Sequence, residues 1–291
     1  MNISLDLTSG LTKKICHQIA KVNRNSFVKN LPNLLKDTSR YLQNKSNPFE
    51  VISMTGGKDF PEQTLSILSF VIAAGAPEKW TIYSDGSVTK EQQNLLTSAF
   101  RFVNFENWNK YLKFPEYQGL IENYVSKSPA AKKVQVICNH PYSGQTIFCD
   151  SDIVYYSGLH KFFENKLLEN GYWYLADTDF GTLDEEVKNS FEMYQLNFGF
   201  LILNDTFRFE PVFEYLAKVQ KFHYFSDQTA FHLAFKSNGG KVLDPRRFYL
   251  SCKDQFDFGY SGDYANMCLR HYVHPVRHKM WQKNWEWHLK I

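Results

Sequence analysis

The sequence predicts an α/β protein in which a helical arm precedes one large domain with a mixed, mostly parallel sheet. Three observations carry that expectation. Two short apolar, partly β-branched runs, 49–54 and 80–84, bracket a helical pattern, which is the βαβ arrangement of a parallel strand pair. Similar apolar runs recur at 145–149, 172–176 and 198–203, with helical patterns between them. The 291 residues, 43% hydrophobic and 16% aromatic, suffice to bury one large core and argue against extensive disorder.

The arm comes first. Between residues 12 and 45 lie eight basic residues, from Lys13 to Lys45, against the single acid Asp37. Apolar residues at Ile15, Ile19, Val22, Leu34 and Leu35 recur at helical spacing. The segment therefore reads as basic helices that bury an apolar face on the main domain, and removing residues 1–47 is expected to destabilise the protein. Docking of the basic face on an anionic membrane surface is the alternative. The division expected is an arm over 1–48 and a main domain over 49–291.

The main domain opens with the strand 49–54, closed by the tight loop Thr55-Gly56-Gly57. A helix over 62–74 follows, with Leu65, Leu68, Val71 and Ile72 on one face, and Gly75-Ala76-Pro77 stops it. The strand 80–84 then runs into Asp85-Gly86-Ser87. Further helices are expected at 88–99, 157–168 and 211–219, the last with Pro211 in the first turn, where its missing N–H costs nothing. A right-handed crossover between parallel strands places ligands at the strands' carboxyl ends. Thr55, Gly56, Gly57 and Asp85 are thus candidate nucleotide contacts: glycine permits close backbone approach, and the Asp can accept hydrogen bonds from base or ribose. Plain turns are the simpler reading of both loops.

The net charge of +3 gives no strongly basic domain, so a nucleic-acid partner is not expected. The five cysteines, Cys16, Cys138, Cys149, Cys252 and Cys268, are scattered and contain no C-x-x-C pair. Neither a disulfide framework nor a zinc site is suggested, and a cytoplasmic location fits. Residues 1–10 lack a signal-peptide pattern, and no run approaches the ~20 apolar residues needed to cross a bilayer.

The strongest chemical signal is the apolar run 145–149 that breaks into Asp150-Ser151-Asp152 and resumes at Ile153. Two carboxylates inside such a run are costly unless a hard divalent cation sits against them. Without a cation they repel, so neutralising Asp152 is expected to leave the fold intact and to relieve strain. A second triplet, Asp177-Thr178-Asp179, follows the run 172–176 and competes for the metal role. Asp179-Phe180-Gly181 copies a kinase motif, but no glycine-rich phosphate loop or catalytic loop accompanies it.

Four segments in order resemble the retaining GT-A glycosyltransferases of the family 8 and glycogenin type: Asp150-Ser151-Asp152, Asn197-Phe198-Gly199, Asp227-Gln228, and the stretch from His271 to Arg277. The similarity covers residues 49 to 281. It implies a single GT-A (Rossmann-like) domain that uses a nucleotide-diphosphate sugar, a UDP-sugar in that family, with Mn²⁺ or Mg²⁺. It further implies that Asp150, Asp152 and His271 hold the metal, that Asn197, Asp227 and Gln228 surround the reacting sugar, and that Arg277 contacts the diphosphate. The acceptor would be a hydroxyl of a glycan, a lipid-linked sugar or a small molecule, and the reaction would retain configuration. The sequence departs from the family pattern at His274, which replaces Gly, at Arg277, which replaces Lys, and at Trp281, two positions beyond the expected Trp. Arg for Lys keeps a permanent cation with a fork suited to phosphate. A non-catalytic sugar-nucleotide or glycan-binding protein and a metal-dependent nucleotidyltransferase are the alternative readings. The tail from Met280 interleaves Trp with cations and is expected to pack on the core.

Overall fold

A computed structural model describes residues 10–36, 46–166, 171–177, 184, 194–219, 221–251, 266–274 and 276–289. Asp179, Phe180, Gly181 and Cys252 lie outside the described residues.

Helix α1 (Gly10–Lys36) is one continuous helix of 27 residues with Pro32 inside it, where several helices were expected. The main sheet then begins with β1 (Ser46–Thr55), continues through α2 (Phe60–Ala74), β2 (Ala76–Ser84) and α3 (Lys90–Ala99), and adds β3 (Val103–Asn107). Helices α4 (Gln118–Lys127) and α5 (Ala131–Asn139) lead to β4 (Thr146–Cys149), β5 (Ile153–Tyr155) and α6 (Gly158–Lys166). Strands β6 (Trp173–Asp177) and β7 (Gln195–Leu203) follow, then α7 (Glu210–Lys218), α8 (Ser226–Ser237), β8 (Lys241–Val242), β9 (Phe248–Leu250) and β10 (Leu269–His271). Two short helices, α9 (Lys279–Gln282) and α10 (Trp285–His288), complete the described chain.

The seven-stranded sheet has the order β3-β2-β1-β4-β7-β6-β8. Strands β1, β2, β3 and β4 pair in parallel, and β7 runs antiparallel to both neighbours, β4 and β6. The sheet is mixed and mostly parallel, as expected. Successive residues of β1 enter different cores: Val51 packs with one cluster and Ile52 with the other, both fully buried. Burial on both faces explains why these strands read as continuous apolar runs rather than alternating ones. A second sheet, β5-β10-β9, pairs β10 antiparallel with β5.

Local chemistry sets the ends of the βαβ unit. Pro61 occupies the first turn of α2. Gly75 ends that helix at φ 85, a left-handed conformation that favours glycine, and its N–H bonds Val71 O at 2.9 Å. Thr89 and Gln92 form a capping box that starts α3.

Helix α1 packs on α9, α3, α10 and α2, but with a different face from the one the spacing suggested. Cys16, Ala20, Phe27, Leu31 and Leu35 are buried, whereas Ile15, Ile19 and Val22 are exposed. The burying face is selected by aromatic partners: Phe27 meets Trp281 at 5.3 Å and Trp285 at 5.8 Å between ring centroids. Arg24 donates two hydrogen bonds to buried Glu62, at 2.6 and 2.8 Å, and Trp281 Nε1 donates to the same carboxylate at 2.8 Å. Trp281 and Trp285 are core residues, as expected for the tail.

Candidate active site

The site forms where three strand ends of the main sheet meet. Asp150 follows β4 directly, and β6 ends at Asp177. Because β7 runs antiparallel, its first half lies beside these ends, and Asp150 N–H donates to Gly199 O at 2.8 Å. The second sheet brings in the last partner. His271 pairs with Ile153 across β10 and β5, and the next residue, Tyr272, donates its N–H to Asp152 O at 2.9 Å.

Asp150, Asp152 and His271 therefore converge, each with a ligand atom within 4.8 Å of the others. His271 Nε2 lies 3.1 Å from Asp152 Oδ1 and 3.7 Å from Asp150 Oδ2. Its Nδ1 meets Asn197 Oδ1 at 3.0 Å, which turns Nε2 towards the carboxylates. Asn197 Oδ1 also accepts the Gly199 N–H at 2.9 Å. Gly199 has a steric reason to be glycine, since a Cβ there would overlap the His271 ring. Two carboxylates and one imidazole form a donor set suited to a hard or borderline divalent ion, and the orienting Asn197 is the kind of outer partner such ligands have. These residues fit Mn²⁺ or Mg²⁺. Asp177 faces the same cleft but accepts from the amides of Asn197 and Gln228, both at 3.4 Å, so among the described residues the first D-x-D belongs to the cluster and Asp177 supports its neighbours.

Two cations attend the carboxylates. Lys133, on α5, lies 2.6 Å from Asp150 Oδ1, and Arg277 lies 2.7 Å from Asp152 Oδ2. Burial alone would raise the Asp152 pKa, but the charge and hydrogen bond of His271, with Arg277 and Lys133, outweigh it and hold the carboxyl well below its ordinary range. The expectation that neutralising Asp152 relieves strain is therefore overturned: the charge is compensated, not opposed. Burial likewise works against the Lys133 and Arg277 cations, and the neighbouring carboxylates raise both above their ordinary values.

Asp227 and Gln228 lie in the first turn of α8 and are buried. Asp227 sits inside the helix rather than capping it, and Gln228 Oε1 accepts the Phe198 N–H at 3.2 Å, which fixes α8 against β7. Burial pushes the Asp227 carboxyl up to about 6, against the lowering effect of Lys133. Asp227, Gln228, Asn197, Asp150, Lys133 and His271 line one cleft of about 290 Å³, with Tyr224, Phe225 and His274 also in its wall.

The two loops expected to contact a nucleotide are not among the residues that line that cleft. The loop after β1 and the loop after β2 pack on each other: Gly57 N–H donates to Ser87 Oγ at 2.8 Å, and Asp85 N–H donates to Thr55 O at 3.1 Å. A Cβ on Gly56 would come within 2.6 Å of Asp85 Oδ2, and one on Gly57 within 2.5 Å of Ser87 O. Gly57 is thus required by loop-on-loop packing against the Ser87 backbone, whereas a Cβ on Gly56 would meet side-chain atoms of Asp85 and Ser87, and Asp85 Oδ1 accepts from Ser87 within its own turn. The link to the cluster is Arg277, which also reaches Asp59 at 3.3 Å, just past Gly57.

Sequence reasoning missed Lys133, Asp59, Tyr224 and Phe225. Lys133 stands 17 positions before Asp150 in a helix, with no local pattern to mark it. Asp59 follows Gly57-Lys58 and carries no signal except proximity to the glycine loop.

The sequence matches no protein-family model and no curated protein. Solved structures do share its fold. The galactosyltransferase LgtC in complex with donor and acceptor sugar analogs is 14% identical, with 78% of this chain and 87% of that one covered and a TM-score of 0.54. The bifunctional glycosyltransferase WbbM is 15% identical over 84% of this chain and 50% of its own, with a TM-score of 0.53. The glycosyltransferase GlyE of Streptococcus pneumoniae TIGR4 is 14% identical over 84% and 62%, with a TM-score of 0.51. The chain thus spans half of WbbM and under two thirds of GlyE, but most of LgtC. With its mixed sheet, its D-x-D at the end of β4 and these structural neighbours, the chain has the GT-A fold of glycosyltransferases.

Proposed function

We propose that this protein is a metal-dependent glycosyltransferase that transfers a sugar, with retention, from a nucleotide-diphosphate sugar, a UDP-sugar by resemblance, to a hydroxyl acceptor. The observation that carries the proposal is the convergence of Asp150, Asp152 and His271 beside a cleft lined by Asn197, Asp227 and Gln228. Asp150, Asp152 and His271 would hold Mn²⁺ or Mg²⁺, which supplies positive charge against a departing diphosphate. The solved LgtC complex with donor and acceptor sugar analogs supports the same ligand classes here.

The chain's own residues divide the work. Arg277 bridges the D-x-D to Asp59 and places a permanent cation on the diphosphate side, next to the nucleotide loops at Thr55, Gly56, Gly57 and Asp85. Asn197 orients His271 and faces the sugar, while Gln228 and Asp227 line the wall where the anomeric carbon reacts. The bond from that carbon to the diphosphate oxygen breaks, one to the acceptor oxygen forms, and the acceptor's proton leaves with the diphosphate. A glycan, lipid-linked or small-molecule acceptor enters from the mouth, where Tyr224 is 73% exposed. The arm over 1–48 and the catalytic domain over 49–291 remain our division of the chain. Among the described residues four cysteines are free and buried, which supports a cytoplasmic setting.

Screening nucleotide-sugars with Mn²⁺ for release of a nucleoside diphosphate tests the proposal. Release that requires the metal is expected. A folded protein that binds the nucleotide-sugar but releases nothing would establish the non-catalytic alternative, and nucleoside monophosphate left on the product would establish a nucleotidyltransferase.

A further inference from the structure

Helix α1 has two faces, and the fold uses one. Phe27, Leu31 and Leu35 turn inward, while Ile15, Ile19 and Val22 stand 52%, 46% and 65% exposed on the other side. Positions 15, 19 and 22 are spaced i, i+4 and i+7, so their side chains form one stripe on the solvent face. Lys14, Lys21 and Lys29 are exposed beside it, and residues 10–36 contain no Asp or Glu. Arg24, by contrast, is turned to the fold and paired with Glu62.

We infer that this face seats α1 in the plane of an anionic lipid surface. Apolar and cationic groups on one helix face suit the boundary between headgroups and acyl chains, where aliphatic side chains leave water and lysines extend to the phosphates. Charge complementarity names the partner, and the aliphatic stripe decides between polyanions. A nucleic-acid backbone would attract the lysines but leave Ile15, Ile19 and Val22 in water. The helix is ordered before docking, because its other face is anchored on Trp281 and Trp285, so docking pays little ordering entropy. Each lysine near an anionic leaflet strengthens binding about fivefold. No described helix is long and apolar enough to cross a membrane, so the contact is peripheral and salt-sensitive. The inference is independent of the proposed activity and needs no donor or acceptor to test.

The full chain is sedimented with vesicles of phosphatidylglycerol and phosphatidylcholine, and with vesicles of phosphatidylcholine alone. Binding to the first and not the second is expected. The triple variant Lys14→Gln, Lys21→Gln, Lys29→Gln lowers affinity about 100-fold, the product of three fivefold steps. The double variant Ile19→Ser, Val22→Ser, with charge unchanged, lowers it about tenfold. Neither moves the thermal midpoint, because all five side chains are exposed. The inference is overturned by absence of binding to the anionic vesicles, or by equal binding to both kinds. It is also overturned if the double variant binds vesicles as well as the parent while a short RNA duplex competes with them, since the face would then be a bare polyanion surface.

Discussion

Asp152 and Asp227 belong to one site, yet their surroundings push them in opposite directions. Both are buried, at 2% and 6% exposure, so both lose hydration. Asp152 is answered by His271 and Arg277 and stays ionised. Among the described residues Asp227 has no cation paired to it: the charge of Lys133, which is paired with Asp150, and the Gln228 N–H at 2.8 Å only partly offset burial, which raises it to about 6. The difference teaches that proximity to a charged cluster does not fix a carboxylate's state; the count of cations within direct reach does. The result is a site with two electrostatic characters: a carboxylate held ionised by paired cations on one side, and one raised to about 6 by burial on the other.

Substitutions can break that contrast, and the largest effect is expected at Asp152. Asp152→Asn should lower metal-dependent turnover by ~10²–10³-fold, about 3–4 kcal/mol, the usual cost of losing one such electrostatic contact. Its thermal midpoint without added metal should fall, because Arg277 and His271 lose a charged partner. Asp152 contributes stability above its unfolded pKa, and that contribution is lost only as pH falls towards its depressed folded value. A raised midpoint, or full activity in a well-folded protein, would refute the compensated-charge account.

Asp227→Asn inverts the sign. The folded value of about 6 exceeds the ordinary 3.8, so the folded protein binds more protons between those values. The parent's stability contribution from this group is present below about pH 4 and lost as pH rises through about 6. The variant should therefore gain about 3 kcal/mol at pH 8 and nothing at pH 3.5, read from denaturant unfolding at both. Turnover should fall at every pH. A gain independent of pH would mean that burial of the carboxylate is not the cause.

Gly199→Ala tests whether His271 needs the space that glycine leaves. The Cβ must displace the ring that Asn197 orients, at about 1.5 kcal/mol of stability. Mn²⁺ affinity, measured by calorimetry, should weaken in the same variant; unchanged affinity would show that His271 is not a ligand.

Lys133→Gln gives the smallest shift. Removing a cation 2.6 Å from Asp150 should tighten Mn²⁺ binding about tenfold, about 1.4 kcal/mol, in the absence of nucleotide. Turnover with nucleotide-sugar should fall, since the anionic donor loses an attractive charge. Weaker Mn²⁺ binding would mean that Lys133 positions Asp150 rather than competing for its charge.

Parts of this picture were written in local sequence. The runs at 49–54 and 80–84, the helix between them and the stop at Gly75 are short-range facts, decided by apolar periodicity, a first-turn proline and a glycine at positive φ. The D-x-D was legible for the same reason: two carboxylates interrupt an apolar strand, and burying them needs a partner whatever the rest of the chain does. The ordered segments at Asn197, Asp227 and His271 could be named, but not their geometry.

Geometry depended on contacts far apart in sequence. The antiparallel direction of β7 brings Asn197 and Gly199 beside Asp150, and the pairing of β10 with β5 brings His271 to Asp152 across 119 positions. The same holds for α1, whose sequence offers two apolar faces; Trp281 and Trp285, more than 250 positions away, select the one that contains Phe27. Lys133 reads as an ordinary surface lysine of a helix until the fold sets it on Asp150. The sequence by itself determined the strands, the helix ends and the chemistry available to the site. Only the tertiary structure decided which charges answer which, because charge compensation and steric fit act through space over a few ångströms and carry no memory of position along the chain.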